Sequence, residues 1–137
     1  MVIQVEFVGV EFQTRIKKSD YNPVWDDVFL FSVSEAEADP GPLVVRLWDW
    51  DRAGSNEQIG TFTVDAARMW DICRTSIGWE ELREWEVLDD RFRPVVGHDK
   101  QKTVVEMKIK LLDPEVPNCF DSVSILFRFI FYINLCI

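Results

Sequence analysis

Three carboxylates lie close together near the middle of the chain and could bind a metal ion. Asp49 and Asp51 end an apolar run at residues 43–48, and Glu57 follows a few residues later. Since alternate residues of an extended chain point to the same side, Asp49 and Asp51 place two like charges side by side. Water can screen such a pair, or a cation can lie between its members. Hard cations such as Ca²⁺ prefer oxygen ligands, carboxylates among them, so a cation site and a solvated acidic turn are both open.

The length and net charge of the chain narrow the classes of function. With 137 residues, 47% of them hydrophobic, the chain can form one domain with a real core. Its formal net charge of −9 argues against nucleic-acid binding, because neutralising phosphates needs a basic surface. Binding to an anionic membrane stays open, because a bound cation can reverse the sign of the charge locally.

Cysteine usage and the first residues favour a cytoplasmic protein. Cys73, Cys119 and Cys136 are odd in number and lack the close spacing of a zinc motif or a disulfide framework. Residues 1–7 alternate like a strand instead of forming a charged and then apolar leader, so no signal peptide is expected.

The rest of the chain has the pattern of an antiparallel β-sandwich. Short alternating or apolar stretches recur between turn residues, which is typical of all-β folds of this kind. Residues 65–82 are expected to form a crossover with one or two short helices, and residues 89–102 a polar, mobile hairpin loop. Strands are expected at residues 2–7, 12–18, 28–33, 43–48, 59–64, 84–88 and 104–112.

Residues 13–27 resemble one signature of the C2 domain family. They read Gln-Thr-Arg-Ile-Lys-Lys-Ser-Asp-Tyr-Asn-Pro-Val-Trp-Asp-Asp. The corresponding family segment has a threonine and a basic residue followed by Asn-Pro-Val-Trp. It then continues into a Phe-x-Phe strand, which Phe29 and Phe31 match.

Residues 43–60 resemble a second signature of the same family, an apolar strand followed by Asp-x-Asp and then by an acid and Ile-Gly. Asp49 and Asp51 match the first pair of acids, and Glu57 matches the third at the family spacing. Because both signatures occur in the family's order, the resemblance is specific, and it covers residues 2–112.

The resemblance implies an all-β fold, the antiparallel eight-stranded Greek-key β-sandwich of C2 domains. In the family, loops at one end of the sandwich hold Ca²⁺ and touch phospholipid. The family's first strand, and the first loop with its own acids, would lie upstream of Met1. We therefore expect a partial C2 domain over residues 1–114 that lacks this strand and loop.

The resemblance also assigns calcium ligands to this chain. Asp49, Asp51 and Glu57 fall on the acidic positions of the family's third loop, and the backbone carbonyl of Trp50 would be a further ligand. Glu57 departs from the usual aspartate, but its longer side chain can still bind. Affinity rises with ligand charge and rigidity, so an incomplete site should bind Ca²⁺ far more weakly than an intact one.

Aromatic and basic residues near these acids are candidate lipid contacts. Trp50 lies at the edge of the loop, where it either packs on the protein or anchors in the headgroup region, and Arg52 is close by. Arg15, Lys17 and Lys18 form a basic cluster. In the family the nearby sheet face often binds acidic headgroups, whereas three charges alone are also typical of a solvated face.

An enzymatic function finds no support in the sequence. No Gly-rich phosphate loop, nucleophile elbow or Cys/His pair is present. His98 is isolated in a polar stretch, and acids on one loop do not face each other across a cleft as glycosidase acids do. We expect neither catalytic residues nor a small-molecule substrate.

Two functions therefore remain. The first is a cytoplasmic C2 module of signalling or trafficking that binds anionic phospholipid membranes peripherally, with Ca²⁺ as a bridging ion. The second is a calcium-insensitive scaffold that binds a protein partner through a sheet face or a free sheet edge.

The C-terminal tail, residues 115–137, fits the domain poorly. Its apolar run at residues 125–137 would span about 20 Å as a helix, short of the roughly 30 Å of a bilayer core. Arg128 would also be costly there. The tail is an incomplete or interfacial membrane anchor, an extra strand over an open edge, or, as we favour, a foreign segment never selected to fold. In that case removing residues 118–137 should improve solubility without loss of the fold.

Overall fold

Two antiparallel sheets make up the described part of the chain. The structure, a computed structural model, describes residues 1–18, 23–34, 41–50, 54–65, 67–68, 81–97, 100–112 and 124–132. In chain order the strands are β1 (Val2–Phe7), β2 (Val10–Gln13), β3 (Val24–Ser34), β4 (Leu43–Asp49), β5 (Glu57–Val64), β6 (Glu81–Glu86), β7 (Val104–Leu112) and β8 (Ser124–Tyr132). Sheet A has the strand order β2-β1-β4-β5, and sheet B has the order β3-β8-β7-β6.

The hydrophobic core lies between the two sheets. Side chains on one face of β1 and β4 alternate with outward-facing ones and are buried, as expected for strands with one face on a core. The Phe7 ring of sheet A meets Phe31 of sheet B edge-on with centroids 5.7 Å apart, and Phe62 stacks on Trp85 at 5.9 Å. These contacts confirm the predicted antiparallel β-sandwich. The largest fully buried side chains are Trp25, Phe7, Phe31, Ile3, Leu43, Leu47 and Met107.

The second strand is shorter than the sequence suggested and ends at Gln13 instead of Lys18. Beyond it the chain stays beside β1 without forming a regular ladder. The Thr14 hydroxyl accepts a hydrogen bond from the Ile3 backbone N–H at 3.0 Å, and the Lys17 N–H donates to the Met1 carbonyl at 3.0 Å. A side chain thus replaces part of the sheet pairing, which alternation alone does not reveal.

The expected helical crossover is described only in part. Ala67 and Arg68 are helical, and the Arg68 N–H donates to the Asp65 carboxylate at 2.7 Å, as at a helix N-cap. Residues 66 and 69–80 lie outside the described residues, and the last two positions of the expected crossover belong to β6. In the described part of the chain no helix is both long and apolar enough to span a membrane.

The C-terminal tail contributes a central strand of sheet B. β8 pairs with β3 on one side and with β7 on the other, so that Phe129 lies opposite both Phe29 and Ile109. Of the three alternatives for the tail, the described residues show the extra strand, although it lies inside the sheet and not over an edge. Among the described strands no other joins β3 to β7. This placement reverses our expectation that the tail can be removed without loss of the fold.

The segment between β6 and β7, expected as a mobile hairpin loop over residues 89–102, forms a hydrogen-bonded hairpin in its described part, residues 87–97 and 100–103. Leu88 and Thr61 exchange two backbone hydrogen bonds of 2.9 Å, which tie this segment to β5 of sheet A. Within it, Val95 donates to the Val87 carbonyl and Thr103 donates to the Val95 carbonyl. Its polar composition hid this ladder, because backbone hydrogen bonding depends little on side-chain polarity.

Candidate functional site

Strand direction brings several chain segments to one end of the sandwich, which we call the loop end. β4 finishes there at Asp49, and β5 starts there at Glu57. β1 also starts there, because Val2 pairs with Trp48. The hydrogen bond from Lys17 to the Met1 carbonyl adds the segment that follows β2. Acids, an aromatic residue and the basic segment predicted as functional therefore meet at the loop end.

Asp49 and Glu57 are directly opposite each other as the last pair of the β4–β5 ladder. A register shift sets this pairing: Leu47 lies opposite Gly60, and Trp48 lies opposite Gln58, which leaves one extra residue in β5. Residues directly opposite in an antiparallel ladder have Cα atoms about 4.5–5.5 Å apart, and like charges there destabilise the pair. The bulge thus brings together two of the three predicted carboxylates, as bulges beside functional sites often do.

The oxygen atoms described at this site are of the type that a hard cation binds, but they are fewer than a calcium ion takes. Asp49 and Glu57 are both exposed and supply carboxylate oxygens, and the chain continues directly to the Trp50 carbonyl. Asp51 and Arg52 lie outside the described residues. Calcium takes six to eight oxygens, and among the described residues no group of three or more His, Cys, Asp or Glu side chains could hold a metal. Calcium ligation at this end stays a prediction.

The two tryptophans of this region differ in exposure. Trp48 is half-buried on the outer face of sheet A, where its indole N–H donates to the Gln4 side-chain oxygen at 3.1 Å. Trp50 is 37% exposed at the end of β4. Trp48 is therefore held on the sheet, whereas the Trp50 indole is accessible at the loop end.

The basic cluster lies partly in an ion pair. The Arg15 side chain meets the Asp27 carboxylate at 3.1 Å, and its backbone N–H donates to the same carboxylate at 3.0 Å. The Trp25 indole N–H donates to the Arg15 carbonyl at 2.6 Å, which fixes this segment against β3. Lys17 is half-buried and Lys18 is exposed. These residues follow β2 at the loop end, so they do not form a basic stripe along a strand.

Sequence reasoning missed one feature, the turn at residues 89–93, which we call the hairpin tip. The Asp89 carboxylate accepts backbone hydrogen bonds from Arg91 and Arg93, each 2.9 Å, and one from the Arg93 side chain. The backbone bond from Arg93 is the main reason why the pKa of Asp89 lies below its usual value. Phe92, held between the two arginines, is 86% exposed. An aromatic residue between two arginines in a polar stretch was the available signal.

Comparison with known proteins places the chain in one family. The family model of the C2 domain matches residues 1–82. The chain is 30% identical over 112 residues to synaptotagmin-1 of Rattus norvegicus, a match that covers 74% of this chain and 26% of that protein. This chain belongs to the C2 domain family.

Other relatives match over shorter segments. Synaptotagmin-6 of Rattus norvegicus is 33% identical over 70 residues, covering 51% of this chain and 12% of that protein. Ras GTPase-activating protein 4B of Homo sapiens is 28% identical over 81 residues, covering 59% of this chain and 10% of that protein. The chain therefore corresponds to a tenth to a quarter of the length of these relatives.

Proposed function

We propose that this C2 domain is a binding module whose loop end attaches to anionic phospholipid membranes. The observation that carries the proposal is the opposed pair Asp49 and Glu57 at the end of the β4–β5 ladder. Such a pair is a natural place for a divalent cation, because a cation relieves the repulsion between the carboxylates. The exposed Trp50 beside it gives the same end an apolar group.

Each group at the loop end has a role in the proposed binding. Asp49, Asp51 and Glu57 provide carboxylates, with the Trp50 carbonyl as a further oxygen. A bound Ca²⁺ supplies positive charge that bridges these carboxylates to lipid phosphates. The Trp50 indole enters the headgroup region, where an aromatic ring with one polar edge is well accommodated. No covalent bond is made or broken.

The basic residues contribute electrostatic attraction to the same surface. Lys17 and Lys18 lie at the loop end, and a lysine near an anionic bilayer contributes about 1 kcal/mol. Arg15 contributes less because Asp27 already compensates its charge. Arg52 follows the acids in sequence and belongs to the same proposed contact.

The alternative function is a calcium-insensitive protein scaffold, which would use a sheet face or a free sheet edge. β8 fills the place between β3 and β7, and among the described strands β2 and β3 are outermost in their sheets. The sheet faces remain available to a protein partner, and the test below separates the two functions.

Co-sedimentation with phosphatidylcholine/phosphatidylserine vesicles tests the proposal. The parent chain should bind more strongly in Ca²⁺ than in chelator, and Asp49→Asn combined with Asp51→Asn should remove that difference. The matched control is Glu11→Gln combined with Asp65→Asn, which removes two charges at the opposite end and should keep the calcium response. Equal binding by the unmodified chain in Ca²⁺ and in chelator would mean that the module is calcium-insensitive, and absence of binding in both conditions would favour the protein scaffold.

Titration calorimetry addresses the completeness of the cation site. The few oxygens supplied at the loop end predict half-saturation on the order of 10⁻³ M Ca²⁺, the weak end of the protein range. Micromolar binding by this chain would mean that further ligands complete the site.

A further inference from the structure

We propose that the hairpin tip, residues 89–93, is a second membrane contact, in which Phe92 enters the interfacial region of an anionic bilayer and Arg91 binds lipid phosphates. This inference rests on the proposed membrane binding of the loop end. It adds an element separate from the β4–β5 loop and independent of a bound cation.

The hairpin tip lies toward the loop end. Leu88 pairs with Thr61 in the antiparallel sense, so the chain beyond Leu88 runs along β5 in the direction of Glu57. Leu88 also pairs with Pro94, which closes residues 89–93 into a turn ahead of Thr61. Glu57 is four residues from Thr61, or about 13 Å at strand spacing. A surface that meets the β4–β5 loop is therefore within reach of the hairpin tip.

The turn presents Phe92 in a fixed conformation. Three hydrogen bonds to the Asp89 carboxylate hold the backbone of Arg91 and both the backbone and side chain of Arg93. The Phe92 N–H donates to the Asp89 carbonyl at 3.0 Å, and Phe92 has a left-handed φ of 59°. A non-glycine residue in that region costs conformational energy. The fold therefore holds an aromatic side chain in solvent at a cost in conformational energy.

One arginine of the hairpin tip can bind an anionic partner. The whole chain carries −9, but residues 87–103 contain four Arg or Lys residues against three Asp residues, and residues 89–93 contain two Arg residues against two Asp residues. Arg93 is paired with Asp89 and Lys102 with Glu86. Within the described part of the chain, the Arg91 side chain has no carboxylate partner and is exposed. An aromatic group flanked by a free cation matches the boundary between acyl chains and phosphates, where apolar and anionic groups adjoin.

The expected effects follow from the groups removed. Phe92→Ala should lower vesicle affinity roughly fivefold to tenfold, because it removes a Phe side chain that is partly buried in the bilayer interface. Loss of one cation near an anionic surface predicts about a fivefold loss for Arg91→Gln, which should shrink at high salt. Both variants should also weaken the vesicle binding that is measured in chelator. Val10→Ala is the matched control, because Val10 is 43% exposed on β2 and pairs with Phe7 at the opposite end.

The experiment measures binding of the full chain and these variants to phosphatidylcholine vesicles with and without phosphatidylserine. Near-ultraviolet circular dichroism checks that each variant keeps the fold. As a second measurement, Phe92→Trp should gain quenching by brominated lipid over the parent chain, whereas Val10→Trp should not. A loss with Phe92→Ala and Arg91→Gln, unchanged binding by Val10→Ala, and the gain in quenching support the proposal.

Contrary outcomes separate this inference from the proposed function. If the unmodified chain binds vesicles and Phe92→Ala binds equally well, the hairpin tip is not a membrane contact. A protein partner is then the remaining candidate to bind Phe92. The membrane function of the β4–β5 loop then stands. If the parent chain binds no vesicles in either condition, both proposals are overturned.

Discussion

One extra residue in β5 decides how the acids at the loop end face each other. Without the bulge, Asp49 would lie opposite Gln58, an uncharged residue; with it, Asp49 lies opposite Glu57. The residue types and spacing predicted these acids as a set. They could not predict the cross-strand pairing, because register depends on a bulge that composition does not mark.

Neutralising one acid tests whether the pair is under electrostatic strain. In chelator, Glu57→Gln should raise the free energy of unfolding by about 0.2–1 kcal/mol, because it removes a like charge directly opposite Asp49. The gain should shrink as added salt screens the charges, and it should reverse in excess Ca²⁺. Glu57→Asp keeps the charge and serves as the control in thermal unfolding. If Glu57→Gln is less stable in chelator, the Glu57 carboxylate stabilises the folded chain and the proposed repulsion from Asp49 is wrong.

Gly60, the glycine of the Ile-Gly signature, has a packing role that the sequence alone does not show. A Cβ at this position would lie 2.5 Å from Val87 Cγ1 and 2.7 Å from the Leu88 carbonyl oxygen. The hairpin can approach β5 only because no side chain intervenes.

Substitution of Gly60 should therefore loosen the hairpin. Gly60→Ala should lower the free energy of unfolding by about 1–3 kcal/mol, because the Leu88 backbone must move away. It should also weaken vesicle binding by displacing the hairpin tip. Ser55→Ala, at an exposed position near the start of β5, should change stability by less than about 0.5 kcal/mol in denaturant unfolding. Wild-type stability in Gly60→Ala would contradict the close approach.

At the scale of elements, β8 is the feature that the sequence left open. Its apolar run was compatible with an anchor, a strand or a foreign tail, because periodicity alone does not separate these for a short run. The structure shows that this run is a central strand, because β8 pairs with β3 on one side and with β7 on the other. Residues beyond the expected domain boundary at residue 114 therefore belong to sheet B. Strands with strong alternation, such as β1 and β4, were predicted almost to their ends. In both, one face on the core imposes a clear pattern.

Truncation tests the role of β8. A chain that ends at residue 117 should lose cooperative thermal unfolding, since β3 would then be separated from the β6–β7 pair. A chain that ends after Tyr132 keeps β8 and should unfold as the full chain does. Phe129→Pro should act like the long truncation, because proline inside a sheet removes a ladder hydrogen bond. Cooperative unfolding of the 117-residue chain at an unchanged temperature would show that sheet B does not need β8.

At the scale of the whole molecule, the strand directions matter more than the net charge. A chain of −9 is repelled by an anionic membrane on average. The fold separates charges locally, however, and collects the opposed acids, Trp50, Lys17, Lys18 and the hairpin tip toward one end. The C2 signatures were enough to predict the sandwich and the β4–β5 loop. The position of the hairpin tip toward this end was not predictable, because it depends on hydrogen bonds between Thr61 and Leu88, which are distant in sequence.

The most direct test of membrane binding through the loop end is vesicle binding by the unmodified chain as the phosphatidylserine content is raised, in Ca²⁺ and in chelator. Binding should rise with phosphatidylserine in both conditions and should be stronger in Ca²⁺ at every anionic content. Binding that is absent, or that is the same for neutral and anionic vesicles, would contradict attachment of the loop end to anionic membranes.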